Sequence, residues 1–139
     1  LSLHFNKGLA GAPQQAIAAA RDTAVNPAVL DAFALVICAA NEQPAYPGVK
    51  GHEPDAALAR TRADAIERAM AELRKLVPQP GSYLSESDYF ERSWQQSFWG
   101  SNYARLSAIK QKYDPDGLFF VHHGVGSERW SADGFTRQG

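Results

Sequence analysis

The stretch that decides the fold is 81–119, with the sequence GSYLSESDYFERSWQQSFWGSNYARLSAIKQKYDPDGLF. Its first half is crowded with aromatic side chains: Tyr83, Tyr89, Phe90, Trp94, Phe98, Trp99 and Tyr103. Such rings bury large areas and define specific shapes. Its second half predicts a helix over 101–113, because apolar side chains recur at helical spacing before an Asp-Pro-Asp-Gly stop. Residues 118–121 are predicted to form a short strand.

Upstream of this stretch, candidate strands alternate with candidate helices. Residues 3–5 and the apolar run 33–38 predict strands, the second covered on both faces. Helices are predicted over 13–25, over the turn 28–32 and over about 54–76. The apolar stripe of the long helix consists of Ala59, Ala63, Ile66, Met70, Leu73 and Val77. Two strands are too few for an independent sheet, so we expect partner strands outside this chain.

Composition excludes several classes of protein. The chain has 139 residues, 45% hydrophobic residues and a net charge of -1, which is typical of a soluble globular protein without a basic nucleic-acid-binding face. Its apolar runs are too short for a transmembrane helix. The single cysteine, Cys38, allows no internal disulfide and is expected to be a buried small side chain. A start at Leu1, without an initiator methionine or a basic leader, predicts a fragment.

Residue patterns alone do not identify a catalytic site. The histidines fit no closed zinc pattern, and neighbours on a strand point to opposite faces, so His122 and His123 are not expected to share a metal ion. One of that pair is a candidate for facing a ligand pocket. Tyr83 follows a helix end, where packing or catalysis could explain it. The residues alone therefore predict an α+β piece with an aromatic-rich C-terminal third.

A longer set of residues carries a resemblance to a known family. The run comprises Gly81-Ser82-Tyr83, Asp88-Tyr89-Phe90, Trp94, Phe98-Trp99-Gly100, Asn102-Tyr103, Arg105-Leu106, Ile109-Lys110, Tyr113-Asp114-Pro115 and Gly117-Leu118-Phe119. In this order and without gaps, it resembles the closing segment of berberine-bridge-enzyme-like FAD-linked oxidases, in the vanillyl-alcohol-oxidase fold group. Ala45-Tyr46-Pro47-Gly48 before the long helix is also similar to members of that family.

The resemblance implies a domain organisation. Residues 1–80 would be the C-terminal part of an α/β substrate-binding domain, and 81–139 an aromatic-rich helical segment that returns to an FAD-binding domain outside this chain. That N-terminal portion of the same protein would be the partner and would bind most of the FAD, including any covalent attachment, in which Cys38 has no part. Neither nucleic acid nor a membrane is expected as a partner. Secreted and periplasmic locations both stay open for the intact protein.

The resemblance also implies a reaction. An alcohol or sugar-like small-molecule substrate would be oxidised, with hydride transfer to the flavin and O₂ as the acceptor. Tyr83 matches a tyrosine that can help to deprotonate the substrate. Asn102 and Tyr103 match a G-x-N-Y stretch expected to bind the cofactor, as is Ser85, although many members have asparagine at that position. His122 and Tyr46 are substrate or pocket candidates, and no metal is expected.

Two other classes of function stay open at this stage. The chain could be a non-catalytic fragment or interaction module, inactive without its FAD-binding partner. It could also belong to a different enzyme that shares this closing segment.

Overall fold

The structure, a computed structural model, describes residues 1–6 and 8–138. Its regular elements are β1 (Ser2–Phe5), α1 (Gln14–Arg21), α2 (Ala28–Asp31), β2 (Ala34–Ile37), α3 (Ala56–Leu76), α4 (Trp94–Trp99) and α5 (Tyr103–Tyr113), with 3₁₀ turns at Leu84–Glu86, Gly100–Asn102 and Ser127–Arg129. Helices with a two-stranded sheet agree with the predicted α+β class. The chain divides into two compact units: residues 1–6 with 34–79, and residues 7–33 with 80–139.

The first unit contains the sheet and the long helix. Strands β1 and β2 pair antiparallel, with Ser2 opposite Ile37 and Phe5 opposite Ala34. Helix α3 begins where the Asp55 carboxylate accepts hydrogen bonds from two backbone N–H groups of the first turn. Both strands and this helix confirm the sequence predictions. The prediction that β2 is covered on both faces is wrong for this chain, because its residues stay partly exposed.

The apolar stripe of α3 is only partly covered. Ile66, Met70 and Leu73 lie at intermediate exposure, whereas Ala59 and Val77 are exposed. The predicted stripe is therefore correct in its centre and wrong towards its ends. A helix of this length is amphipathic by pattern, but a two-stranded sheet offers it little apolar surface to pack against.

The second unit is built around α4 and α5. The prediction for α5 is confirmed, and α1 ends at Arg21, before the predicted limit of 25. Helix α4 was not predicted from the sequence, because no helical period was recognised among its aromatic residues. It carries the buried hydrophobic side chains of the described chain, Trp94 and Phe98, which are 7% and 4% exposed. The aromatic segment therefore supplies the core.

The predicted strand at 118–121 is wrong. The backbone N–H groups of Leu118 and Phe119 donate to the Asp114 carboxylate at 2.8 and 3.1 Å, and the Phe119 carbonyl accepts from Lys110 Nζ at 2.7 Å. Backbone groups that would join a sheet ladder are thus taken by side chains of the turn after α5. None of the helices described is long and apolar enough to cross a bilayer.

Candidate functional site

The centre of the second unit is a sharp turn between α4 and α5. Gly100 ends α4 with φ 54° and ψ -135°, a conformation that is essentially restricted to glycine. A Cβ at Gly100 would lie 2.7 Å from Oδ1 of Asn26, well inside contact distance. The turn therefore needs glycine for its backbone conformation and also for the close approach of the asparagine side chain.

Asn26 joins an early part of the chain to α4. Its side chain is buried, and its Nδ2 donates to the carbonyls of Ser97 and Gln96 at 2.8 and 3.3 Å. Its Oδ1 accepts from the backbone N–H of Ala28 at 3.0 Å. A buried amide is stable only when its donors and acceptor are paired, and here they are. From the sequence, Asn26 was predicted only to be part of an Asn-Pro stop, so this role was missed.

Asn102 and Arg105 bind the same early loop from α5 and the turn before it. Asn102 Nδ2 donates to the carbonyls of Thr23 and Val25 at 3.0 and 2.8 Å, and Arg105 Nη2 donates to Thr23 at 2.9 Å. Both hydrogens of the Asn102 amide are thus used within the chain, which leaves only its Oδ1 for a ligand. Its assignment to the cofactor stays a prediction, and its observed contacts are structural.

Tyr103 connects α5 to the C-terminal tail. Its hydroxyl donates to the Glu128 carboxylate at 2.5 Å and accepts from the backbone N–H of Gly126 at 3.2 Å. Burial, together with the hydrogen bond to Glu128, raises the pKa of Tyr103 to about 12, so the phenol is protonated at neutral pH. The ring meets Trp94 edge-on, with centroids 5.5 Å apart. Tyr103 therefore holds the tail against the core.

Four rings form a stacked column beside this core. Tyr89 stacks on His122 at 4.1 Å, His122 on His123 at 3.8 Å, and His123 on Trp94 at 5.3 Å between ring centroids. The expectation that His122 and His123 point to opposite faces is wrong. No strand forms here, and His123 has φ 57°, which turns both rings to the same side.

The column contains one hydrogen bond to the backbone, and its surroundings shift the pKa of His123. His122 Nε2 donates to the backbone carbonyl of Tyr89 at 2.9 Å, because a carbonyl oxygen can only accept. Burial, followed by the neighbouring His122, lowers the pKa of His123 below its ordinary value, while Glu91 and Asp88 act in the opposite direction. In the described chain, no group of three or more His, Cys, Asp or Glu side chains is placed to hold a metal ion.

Tyr83 lies at the start of a 3₁₀ turn. The preceding residue, Ser82, donates its backbone N–H to Ser97 at 2.8 Å, which ties the turn to α4. The Tyr83 ring is 52% exposed, and within the described chain its hydroxyl makes no hydrogen bond. Ser85 lies inside the same short turn and is exposed. Both hydroxyls are therefore available to a molecule from outside the chain.

One donor near the G-x-N-Y stretch is unpaired. The indole Nε1 of Trp99 is buried, yet no atom of the described chain accepts its hydrogen. A separate open groove of about 570 Å³ lies along α4 and the start of α5. It is lined by Arg92, Ser93, Gln95, Gln96, Gly100, Ser101, Tyr103 and Ala104. An unpaired buried donor fits an acceptor contributed by a cofactor or partner, since such groups are rarely left alone.

Tyr46 belongs to the first unit. It closes a tight loop in which its backbone N–H donates to the carbonyl of His52 at 2.6 Å, with the two rings 6.2 Å apart. The Tyr46 side chain is 56% exposed. None of the other candidate residues belongs to this unit, so its assignment to a pocket stays a prediction.

The match to a known protein family lies within the second unit. Residues 82–126 match the family model described as "Berberine and berberine like". The chain is 58% identical over 55 residues to the FAD-linked oxidoreductase notD' of Aspergillus versicolor, covering 40% of this chain and 9% of the relative. It is 42% identical over 84 residues to the VAO-type flavoprotein oxidase VAO615 of Thermothelomyces thermophilus, covering 60% of this chain and 14% of the relative.

A third relative matches over a similar length. The flavin-dependent oxygenase ucdF of Aspergillus ustus is 44% identical over 85 residues, which cover 60% of this chain and 15% of the relative. The match thus spans 9% to 15% of the length of these relatives. No solved structure is significantly similar to the chain.

Proposed function

We propose that this chain, which belongs to the berberine-bridge-enzyme-like FAD-linked oxidoreductases through residues 82–126, is the C-terminal portion of an oxidase. The complete enzyme oxidises an alcohol or sugar-like substrate, transfers hydride to the flavin and uses O₂ as the acceptor. Its N-terminal portion binds most of the FAD, and this chain alone is inactive. Support for an incomplete protein comes from the small share of each relative that the chain matches.

The observation that carries the catalytic part of the proposal is the state of Tyr83. Its phenol is half exposed, has no hydrogen-bond partner in the described chain, and lies within the matched segment. Most buried or constrained hydroxyls in a folded unit are used for structure, as that of Tyr103 is. A free hydroxyl on a turn anchored to the core is suited to contact a substrate.

The exposed surface of the second unit supports the proposal that it binds a large partner. Several apolar side chains are at least two-thirds exposed: Phe90, Tyr113, Leu118, Phe119, Val121 and Phe135. Extensive exposed apolar surface is typical of a protein interaction site. The FAD-binding portion of the same protein is the proposed occupant of this surface.

In the complete enzyme, the residues of this chain position the substrate and move a proton. The bound FAD supplies the acceptor for the hydride that leaves the substrate carbon. The Tyr83 oxygen accepts the proton of the substrate hydroxyl and passes its own phenolic proton to solvent as the carbon–oxygen double bond forms. Ser85 hydrogen-bonds at the edge of the same pocket. Asn102 and Tyr103 hold the early loop and the tail against α5. The buried Trp99 Nε1 receives an acceptor group from the FAD-binding portion.

The proposal is tested by expressing the complete protein and this chain separately. The complete protein is expected to show flavin absorbance near about 370 and 450 nm, a property of the cofactor itself. It should also bleach anaerobically with an alcohol or sugar substrate and produce H₂O₂ when O₂ is admitted. The chain alone is expected not to quench FAD fluorescence stoichiometrically. Tight FAD binding by the chain alone, or a complete protein without flavin, would contradict the proposal.

A further inference from the structure

The stacked column places two imidazoles between two larger rings. His122 and His123 lie face to face at 3.8 Å, with Tyr89 beyond one and Trp94 beyond the other. Trp94 is part of the buried core. His123 joins the turn 121–125 to α4, because its ring stacks on Trp94 and lies tilted against Phe98, 6.1 Å between centroids.

The surroundings of His123 favour its neutral state. Two imidazolium ions at stacking distance repel each other, and helix α4 contributes only the uncharged rings of Trp94 and Phe98 to this face. The titratable groups that face His123 are His122, Glu91 and Asp88. The two carboxylates attract a proton, but burial and the second imidazole outweigh them, because the pKa of His123 is lowered.

We propose that the His122–His123 pair is an acid-operated latch: neutral, it holds the turn 121–125 against α4, and protonated, it releases that turn. Release of the turn stops at the residues that follow it, 126–129, because other contacts hold them. Tyr103 binds Gly126 and Glu128, and Arg129 Nη2 donates to Ser107 Oγ at 3.2 Å, without using either imidazole. The inference does not depend on the flavin chemistry.

The direction of the pH effect follows from the lowered pKa. The released turn has His123 near its ordinary pKa of 6.5, so it binds more protons than the stacked turn does. The stacked turn is therefore fully favoured above pH 6.5. This preference is lost as the pH falls through the lowered pKa of His123. Each unit of difference changes the opening equilibrium by about tenfold. His123 also holds φ 57°, a costly conformation that persists only while its surroundings enforce it.

The latch can be tested by NMR on the full chain. Nuclear Overhauser contacts between the Trp94 indole and the His123 imidazole are expected at about pH 7.5 and should weaken severalfold by about pH 5, a range in which histidine changes charge. Contacts between Tyr103 and Gly126 should persist. Undiminished Trp94–His123 contacts at the lower pH would overturn the proposal.

Variants separate charge from packing. His123→Phe keeps a ring beside Trp94 and cannot be protonated, so its ring contacts should persist at the lower pH. Loss of those contacts at the same pH as in the wild type would overturn the latch. If His123→Phe does not fold, His122→Phe decides: the midpoint of His123 should rise because a repelling charge is gone, and an unchanged midpoint contradicts the proposal. His4→Gln, at an exposed histidine of the other unit, is the control and should leave the transition unchanged.

Discussion

Asn26 and Ser97 are 71 positions apart in the chain, and the side-chain amide of the first donates to the backbone carbonyl of the second at 2.8 Å. The same amide also holds Gln96 and Ala28, so one buried side chain connects the early loop to α4. This contact is long-range in sequence and polar in chemistry. It therefore gives the second unit a specific register that apolar packing alone would not define.

Replacing Asn26 should weaken the second unit. Asn26→Ala removes three hydrogen bonds, each worth about 0.5–1.5 kcal/mol. The Ala28 N–H loses its acceptor, whereas the carbonyls of Ser97 and Gln96 keep the N–H groups of Ser82 and Gly100 as donors. Thermal denaturation followed by tryptophan fluorescence measures the loss. Gln96→Ala, at an exposed side chain on the same helix, is the control. Equal melting temperatures for the two variants would show that the Asn26 contacts contribute nothing.

Gly100 is expected to be more sensitive than other glycines with positive φ. Gly100→Ala introduces backbone strain and also a Cβ 2.7 Å from Asn26 Oδ1, so it should lower stability by at least about 2 kcal/mol. Gly11→Ala shares the positive φ but has open space around its Cβ, and should cost about 1–2 kcal/mol. Chemical denaturation of both variants compares them. A smaller loss at Gly100 than at Gly11 would refute the close approach.

The Asp114 carboxylate should make stability depend on acid. The Lys110 ammonium, followed by the N–H groups of the next segment, lowers the pKa of Asp114 below 3.8. The ionised form is therefore favoured in the folded state. Its contribution is present above the unfolded value and is lost as the pH falls through the folded one.

Asp114→Asn tests this dependence. The variant should melt at a lower temperature than the wild type at neutral pH. The difference should shrink as the pH falls below 3.8 and through the lowered pKa of Asp114, because the wild-type carboxylate then becomes protonated as well. Asp116→Asn, at an exposed neighbour in the same turn, is the matched control. A difference that stays constant down to low pH would mean that charge has no part in the effect.

Tyr83→Phe examines the proposed proton transfer in the complete oxidase. The variant keeps the ring and removes the hydroxyl, and loss of acid–base assistance should slow anaerobic flavin reduction by on the order of 10²–10⁴, with the melting temperature unchanged. Tyr113→Phe removes a hydroxyl from a tyrosine that is 74% exposed and serves as the control. A rate within about threefold of wild type is too small for such a role and would make Tyr83 a packing residue.

The elements that the sequence predicted are those with strong local signals. Helix α3 has a capping aspartate and a repeated apolar stripe, and β2 is a compact apolar run, so local chemistry was sufficient for both. The segment 118–121 has an equally apolar run but is no strand. Its backbone is taken by Asp114 and Lys110, a choice that depends on a turn geometry invisible to periodicity.

The site was predicted less completely than the fold. Tyr103 and Asn102 were selected through the family resemblance, and His122 as one of a histidine pair. Their contacts with Glu128, Thr23 and Tyr89 were not predicted. Those partners lie 25, 79 and 33 positions away, and no local pattern reports such contacts. Asn26 gave no signal beyond an Asn-Pro dipeptide, because the burial that gives it a role arises only after α4 has packed.

The second unit is built from two separate stretches of sequence, which affects how it folds during synthesis. Residues 34–79, which belong to the other unit, must be translated between the early loop and α4. Asn26 leaves the ribosome 71 positions before Ser97. At synthesis rates of about 5–20 residues per second, that separation is a wait of roughly 4–14 s. During this interval the loop is hydrated and has nothing to bind, so the second unit can close only late in translation or after release.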